Sequence, residues 1–118
     1  TPVPTKKANQ RPAEQTPLEP FDNADVKTMA ASCVRLETEA GNIELEMFPE
    51  SAPETVRNFL NLVALKFYDT TLFSRVVPDF VVQGGNFFTR PLKPQELYER
   101  SRRKLQDEPN LIKHERGI

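Results

Sequence analysis

Apolar and polar residues alternate strictly from Cys33 onward. Val34, Leu36 and Thr38 interleave with Arg35, Glu37 and Glu39, and Ile43, Leu45 and Met47 interleave with Glu44 and Glu46. A period of two is strand periodicity, and Ala40-Gly41-Asn42 between the runs predicts a β-hairpin with a short glycine-containing loop. The period then changes. Val56, Phe59, Leu60 and Val63 recur at i, i+3, i+4 and i+7, which predicts a helix docking one face on a core and fading around Leu65 to Phe67. Ser51-Ala52-Pro53-Glu54 fits a capping box, with Pro53 tolerated in the first turn. Tyr68 to Thr71 reads as a loop into two further short strands around Val76-Val77 and Val81-Val82. Pro78-Asp79 turns between these strands, and Gly84-Gly85 closes the second.

Beyond Gly85 the pattern loosens. Asn86 to Leu92 reads as loop. Pro94 to about Gln106 predicts a short, exposed, weakly anchored helix, with Glu96–Arg100 and Glu99–Arg103 at i, i+4 spacing and only Leu97 and Leu105 as main apolar residues. Its Arg100, Arg102, Arg103 and Lys104 are offset by the nearby Glu96, Glu99, Asp107 and Glu108, so a solvated face is expected there and not a phosphate or RNA contact. Asp107 to Arg116 is a second loop, and His114 within it reads as a surface histidine.

Composition sharpens the first 32 residues. Pro2, Pro4, Pro12, Pro17 and Pro20 lie among Thr, Lys, Asn, Gln and Glu, with no aromatic before Phe21. Such a segment buries too little apolar area to offset its ordering entropy, so residues 1–32 read as a disordered Pro-rich tail or linker. The ordered unit is expected over 33–118, a length that suits one small domain. A net charge of −1 argues against sequence-independent nucleic-acid binding. No apolar run reaches membrane-spanning length. Cys33 is the single cysteine, so neither an internal disulfide nor a cysteine-based metal site is expected.

The densest chemistry lies in FSRVVPDFVVQGG, residues 73–85. Arg75 falls near the end of one strand and Phe80 and Gln83 on the next, so a cation, an aromatic wall and an amide can face one groove. Taken singly, each has an ordinary explanation. Arg75 suits a surface charge or a partner for Glu44 or Glu46, Phe80 suits a core, and Gln83 suits an edge strand. The carboxylates, Asp69 included, show no paired acid–base arrangement.

Three stretches together carry a family resemblance. AGNIELEMFPESAPETVRNFL at 40–60, the FYDTTLFSR segment at 67–75 and PDFVVQGG at 78–85 resemble the N-terminal half of a cyclophilin-type peptidyl-prolyl cis–trans isomerase, and LIKHERGI at 111–118 is similar to the segment leading into that family's next strand. The resemblance implies a mainly β fold, an antiparallel β-barrel with packing helices, of which about four strands precede Ile118. It implies an isomerase that rotates X-Pro bonds and assists protein folding, with no cofactor and no metal, acting as a monomer on proline-containing peptides and unfolded chains. Arg75 matches the catalytic arginine, Phe80 and Val81 match positions lining the proline pocket, and Gln83 matches the glutamine that binds the substrate backbone. Ser74 stands where histidine is frequent. The family's glycine-rich loop is replaced by NFFTRPLKPQELYERSRRK, so this rim of the groove is expected to differ in shape and preference. The remaining pocket residues have no counterpart before Ile118, which leaves a barrel incomplete at the C-terminus as the expectation, and a non-catalytic proline-binding module or a truncated fragment as the alternatives. The Pro-rich start without Met favours an exported or periplasmic protein over a cytoplasmic one.

Overall fold

The structure, a computed structural model, describes residues 18–118. Helix α1 (Val26–Ala30) leads into the antiparallel hairpin β1 (Cys33–Thr38) and β2 (Gly41–Glu46), then helix α2 (Pro53–Ala64). A second, smaller hairpin follows, β3 (Arg75–Val77) and β4 (Val81–Gln83), then a 3-10 turn at Phe87–Thr89 and helix α3 (Gln95–Ser101). The two hairpins form two separate two-stranded sheets, and no closed barrel is present among the described residues. None of the helices among them is long and apolar enough to cross a membrane.

The first hairpin follows its alternation. Val34 pairs with Leu45 and Leu36 with Ile43, which puts these four side chains on one face. That face meets α2. Met29, Val34, Val56 and Leu60 form the buried centre, with Phe21, Ala24, Leu36, Leu45, Met47, Phe59 and Val63 packed around it. Burial of a side chain the size of Val56 or Leu60 stabilises by about 1.5–3 kcal/mol. Helix α2 ends in a Schellman arrangement. The Phe67 amide donates to the Leu62 carbonyl at 3.0 Å and the Lys66 amide to the Val63 carbonyl at 3.0 Å, with Lys66 in the left-handed region at φ 62°. The turn carries Phe67 back beside Leu62 in a second core of Leu62, Phe67 and Phe87, lined by Tyr68, Leu97 and Tyr98. Phe67 stacks on Phe87 at 5.8 Å and meets Tyr68 edge-on at 5.0 Å. Burial pushes the Tyr68 hydroxyl pKa up, tempered by the nearby positive charge of Arg100.

Three expectations are corrected. Residues 18–32 are not a solvated tail, whereas residues 1–17 of that segment lie outside the described residues. Met29 is fully buried, and Asp25 caps α1 by accepting the Thr28 amide at 2.7 Å. Arg57 of α2 donates to the carbonyls of Phe21 and Ala24, each at 2.7 Å, and Asn61, itself buried, accepts the Phe21 amide at 2.7 Å. A few apolar side chains plus hydrogen-bond partners from α2 therefore order a segment whose composition alone predicts disorder. The second correction concerns the start of α2. Its N-cap is Ala52 and no local side chain caps it, because the helix begins at Pro53 and Ser51 stands one residue too early. The third concerns α3, which is anchored through Leu97 and Tyr98. Its Arg100 is not solvated. It pairs with Glu19 at 2.7 Å in place of the expected i, i+4 partner.

Candidate active site

The second hairpin is built by its turn. Pro78 fixes the first central position, Asp79 takes φ 59°, and the Phe80 amide donates back to the Val77 carbonyl at 3.1 Å. A positive φ at the third turn residue fits the type II pattern. The turn sets the register: Val77 faces Val81, Val76 faces Val82 and Arg75 faces Gln83. Since strand side chains alternate, Arg75, Val77, Val81 and Gln83 share one face, with Val76 and Val82 on the other.

This register brings the sequence-selected residues together. Arg75 Nη1 donates to Gln83 Oε1 at 3.3 Å, and its guanidinium carbon lies 5.6 Å from the centre of the Phe80 ring. Phe80 is 73% exposed, so it is a surface wall and not a core residue. Val81, half-buried, lies on the same sheet face beside them. Arg75 does not pair with Glu44 or Glu46. Glu44 is held instead by Arg35 at 3.0 Å, and no carboxylate lies within ion-pair distance of Arg75 among the described residues. The result is an exposed cation braced by an amide oxygen and an aromatic face, with the Gln83 amide nitrogen left to donate elsewhere.

The glycines after Gln83 let the chain pass close by. A β-carbon on Gly84 would fall 2.7 Å from the Phe73 ring, and Gly85 adopts φ 85°, where its own β-carbon would fall 3.1 Å from the Tyr68 ring. The following turn is tied back to the segment that leads into β3. The Leu72 amide donates to Thr89 Oγ1 at 3.0 Å, and Thr89 in turn donates to the Asn86 carbonyl at 2.6 Å. Sequence reading passes over Thr89, although Asn86 and Thr89 carry an Asx/ST-turn signal: Asn86 Oδ1 accepts the Phe88 amide at 2.9 Å.

A separate open groove of ≈ 550 Å³ lies between the end of β2, the start of α2 and the C-terminal segment. Met47, Phe48, Val56, Pro109 and Ile112 line it with the exposed His114, and none of Arg75, Phe80, Val81 or Gln83 reaches it. Among the described residues no cluster of three or more His, Cys, Asp or Glu side chains converges to a metal-binding arrangement.

Residues 33–118 match the cyclophilin type peptidyl-prolyl cis-trans isomerase/CLD family, and the chain belongs to that family. It is 35% identical over 81 residues to a putative bifunctional phosphatase/peptidyl-prolyl cis-trans isomerase of Streptococcus pyogenes serotype M6, covering 69% of this chain and 17% of that protein. It is 43% identical over 61 residues to a peptidyl-prolyl cis-trans isomerase of Acinetobacter baylyi, covering 52% of this chain and 32% of that protein. The chain thus spans no more than about a third of the length of these curated relatives. No solved structure matches it.

Proposed function

We propose that this chain carries the bond-rotating side of a peptidyl-prolyl cis–trans isomerase site, acting on proline-containing peptides and unfolded chains. The supporting observation is the convergence of Arg75, Phe80 and Gln83 on one exposed hairpin. An X-Pro bond isomerises over tens to hundreds of seconds because amide resonance keeps it planar. At the twisted transition state that resonance is lost, and the prolyl nitrogen becomes pyramidal with a usable lone pair. A guanidinium donating to that nitrogen stabilises the twisted form more than either planar form, which lowers the barrier without a covalent intermediate. Arg75 suits this role because a guanidinium presents a rigid, planar fork of donors. Phe80 offers the pyrrolidine ring an apolar wall, with Val81 beside it. Gln83 spends its oxygen on Arg75 and keeps its amide hydrogens for a substrate carbonyl, so one side of the bond stays fixed while the other turns.

In the same reading the two hairpins are parts of the family's antiparallel barrel, with α2 as a packing helix and 33–118 as the domain unit. The near-neutral charge of −1 suits peptide substrates over nucleic acid, and monomeric action is expected. The test is Arg75→Ala in the protein with its complete natural sequence. Removing one transition-state donor is expected to lower kcat by about 10²–10³-fold, with a much smaller change in peptide affinity. Equal losses in rate and affinity would assign Arg75 to binding alone and favour a proline-binding module.

A further inference from the structure

The strand pairing of the second hairpin ends at the site itself. Arg75 and Gln83 form the pair furthest from the Pro78-Asp79 turn, at the open end of arms three residues long. Past that pair, among the described residues, no backbone hydrogen bond joins 72–74 to 84–90. A two-stranded hairpin is marginal in water, and its open end is the end that the turn restrains least. The placement of Arg75 against Gln83 therefore depends on what holds the chain entering β3 to the chain leaving β4.

Side chains hold it, and the hydrogen bonds come from two adjacent residues. Thr89 Oγ1 accepts the Leu72 amide at 3.0 Å, and Arg90 Nε donates to the Asp69 carbonyl at 3.2 Å. The Phe73 ring covers Gly84 and the Tyr68 ring covers Gly85, so the two chains also pack. Thr89 stands on a fixed support. It ends the 3-10 turn Phe87–Thr89, whose Phe87 is buried in the second core and stacked on Phe67 at 5.8 Å. Its hydroxyl is oriented as well: the single proton goes to the Asn86 carbonyl at 2.6 Å, which leaves a lone pair for Leu72. A continuous set of contacts thus runs from the second core through Thr89 to Leu72, three residues before Arg75.

We infer that Thr89 is a positioning residue for Arg75: its hydroxyl closes the open end of the hairpin and so fixes the guanidinium against Gln83 and Phe80. This rests on the isomerase reading above. Thr89 acts through the Leu72 backbone, and Arg75 remains the group that meets the prolyl nitrogen. That nitrogen offers its lone pair only in the twisted transition state, so a loosened Arg75 costs rate more than ground-state affinity. The informative variant is Thr89→Val, which keeps the branched shape and removes the hydroxyl. It is made in the complete natural protein, both alone and together with Arg75→Ala, and is compared with Thr89→Ser, which keeps the hydroxyl.

Thr89→Val is expected to lower kcat for X-Pro peptides by about ten- to a hundredfold, with KM within about threefold. Thr89→Ser should restore most of the loss. In the Arg75→Ala background Thr89→Val should lower kcat by less than about twofold, because two residues acting as one unit are not additive. An unchanged kcat in Thr89→Val would overturn the positioning role, and so would a loss in Thr89→Ser as large as in Thr89→Val. An equal fall in both backgrounds would also overturn it, reducing Thr89 to a general structural tie. Should Thr89→Val not fold, the α-hydroxy acid analogue of leucine at position 72 removes the same amide donor and leaves the Thr89–Asn86 bond in place. The same fall in kcat is expected from it, and an unchanged kcat there overturns the role. Each of these outcomes leaves the isomerase reading intact, whereas absence of turnover by the unsubstituted protein would overturn that reading, and the positioning role with it.

Discussion

Glu108 closes a helix it does not belong to. With Ala52 as N-cap, the Glu54 and Thr55 amides of α2 have no local acceptor. Glu108, 53 residues beyond Thr55, supplies both of its oxygens: Oε2 accepts the Glu54 amide at 3.1 Å, and Oε1 accepts the Thr55 amide and Thr55 Oγ1, each at 2.7 Å. The positive end of the helix adds an electrostatic preference for an anion here. The Thr55 bonds hold the Glu108 carboxyl pKa below its ordinary value of 4.5. A lowered folded pKa gives stability that is fully present above the unfolded value and is lost as pH falls through the folded one. Glu108→Gln in the complete natural protein should therefore lower the Tm at pH 7, and the gap to the unsubstituted protein should close as pH falls below the ordinary value of 4.5 and through the lower folded one. Parallel melts across that range would assign the contact no electrostatic part. This cap was not legible in the sequence, because a capping box is a local pattern and the actual acceptor arrives from a distant loop. Ser51 and Glu54 carry the pattern, but Glu54 turns to Arg57 at 3.2 Å instead.

At the scale of elements the β3–β4 hairpin depends on its turn, since each arm is only three residues long. A one-residue slip would send Arg75 and Gln83 to the opposite face from their present partners. The strain sits at Asp79, where φ 59° costs an L-residue about 1–2 kcal/mol, less for a short polar side chain. Asp79→Gly should leave stability unchanged or slightly higher, as relief of the left-handed conformation offsets the greater chain entropy of glycine. Asp79→Val should lose about 1–2 kcal/mol by denaturant midpoint and, on the proposed function, should lower isomerase activity through the register, because a β-branched residue is poorly tolerated there. Equal stability of the valine and glycine variants would show that the turn does not set the register. This hairpin was legible in advance, turn, strands and converging side chains alike, because everything that forms it lies within residues 75–83. The same holds for the first hairpin and for the end of α2. The Arg57 clamp and the Glu19–Arg100 pair were not legible, since each joins residues more than thirty positions apart and leaves no periodic trace, and helix α1, five residues long, is too short to show a period.

Across the whole molecule the apolar surface is unevenly covered. The hairpin-on-helix core is closed on its inner side, but the site hairpin exposes Val76 at 64% and Val82 at 60%, and the approach to it exposes Leu72 at 61%. Val76 and Val82 face each other across β3 and β4, so they form a continuous apolar strip on the face opposite Arg75 and Gln83. The outer edges of both short sheets also lack strand partners among the described residues. Unpaired edges beside exposed valines recruit other strands, and isolated two-stranded hairpins are marginal in water. The radius of gyration, 17.0 Å, exceeds the roughly 13 Å expected of a compact domain of this length. Residues 1–118 expressed alone should accordingly bind a hydrophobic dye, self-associate with rising concentration, and melt without a cooperative transition. Val76→Thr with Val82→Thr should reduce the dye binding and the self-association, since it keeps the β-branched shape the strands favour while removing the apolar strip. A monomer that unfolds cooperatively without dye binding would mean that the two cores at α2 suffice by themselves. The Arg75 face would then be held by the Gly84–Phe73 and Thr89–Leu72 contacts alone.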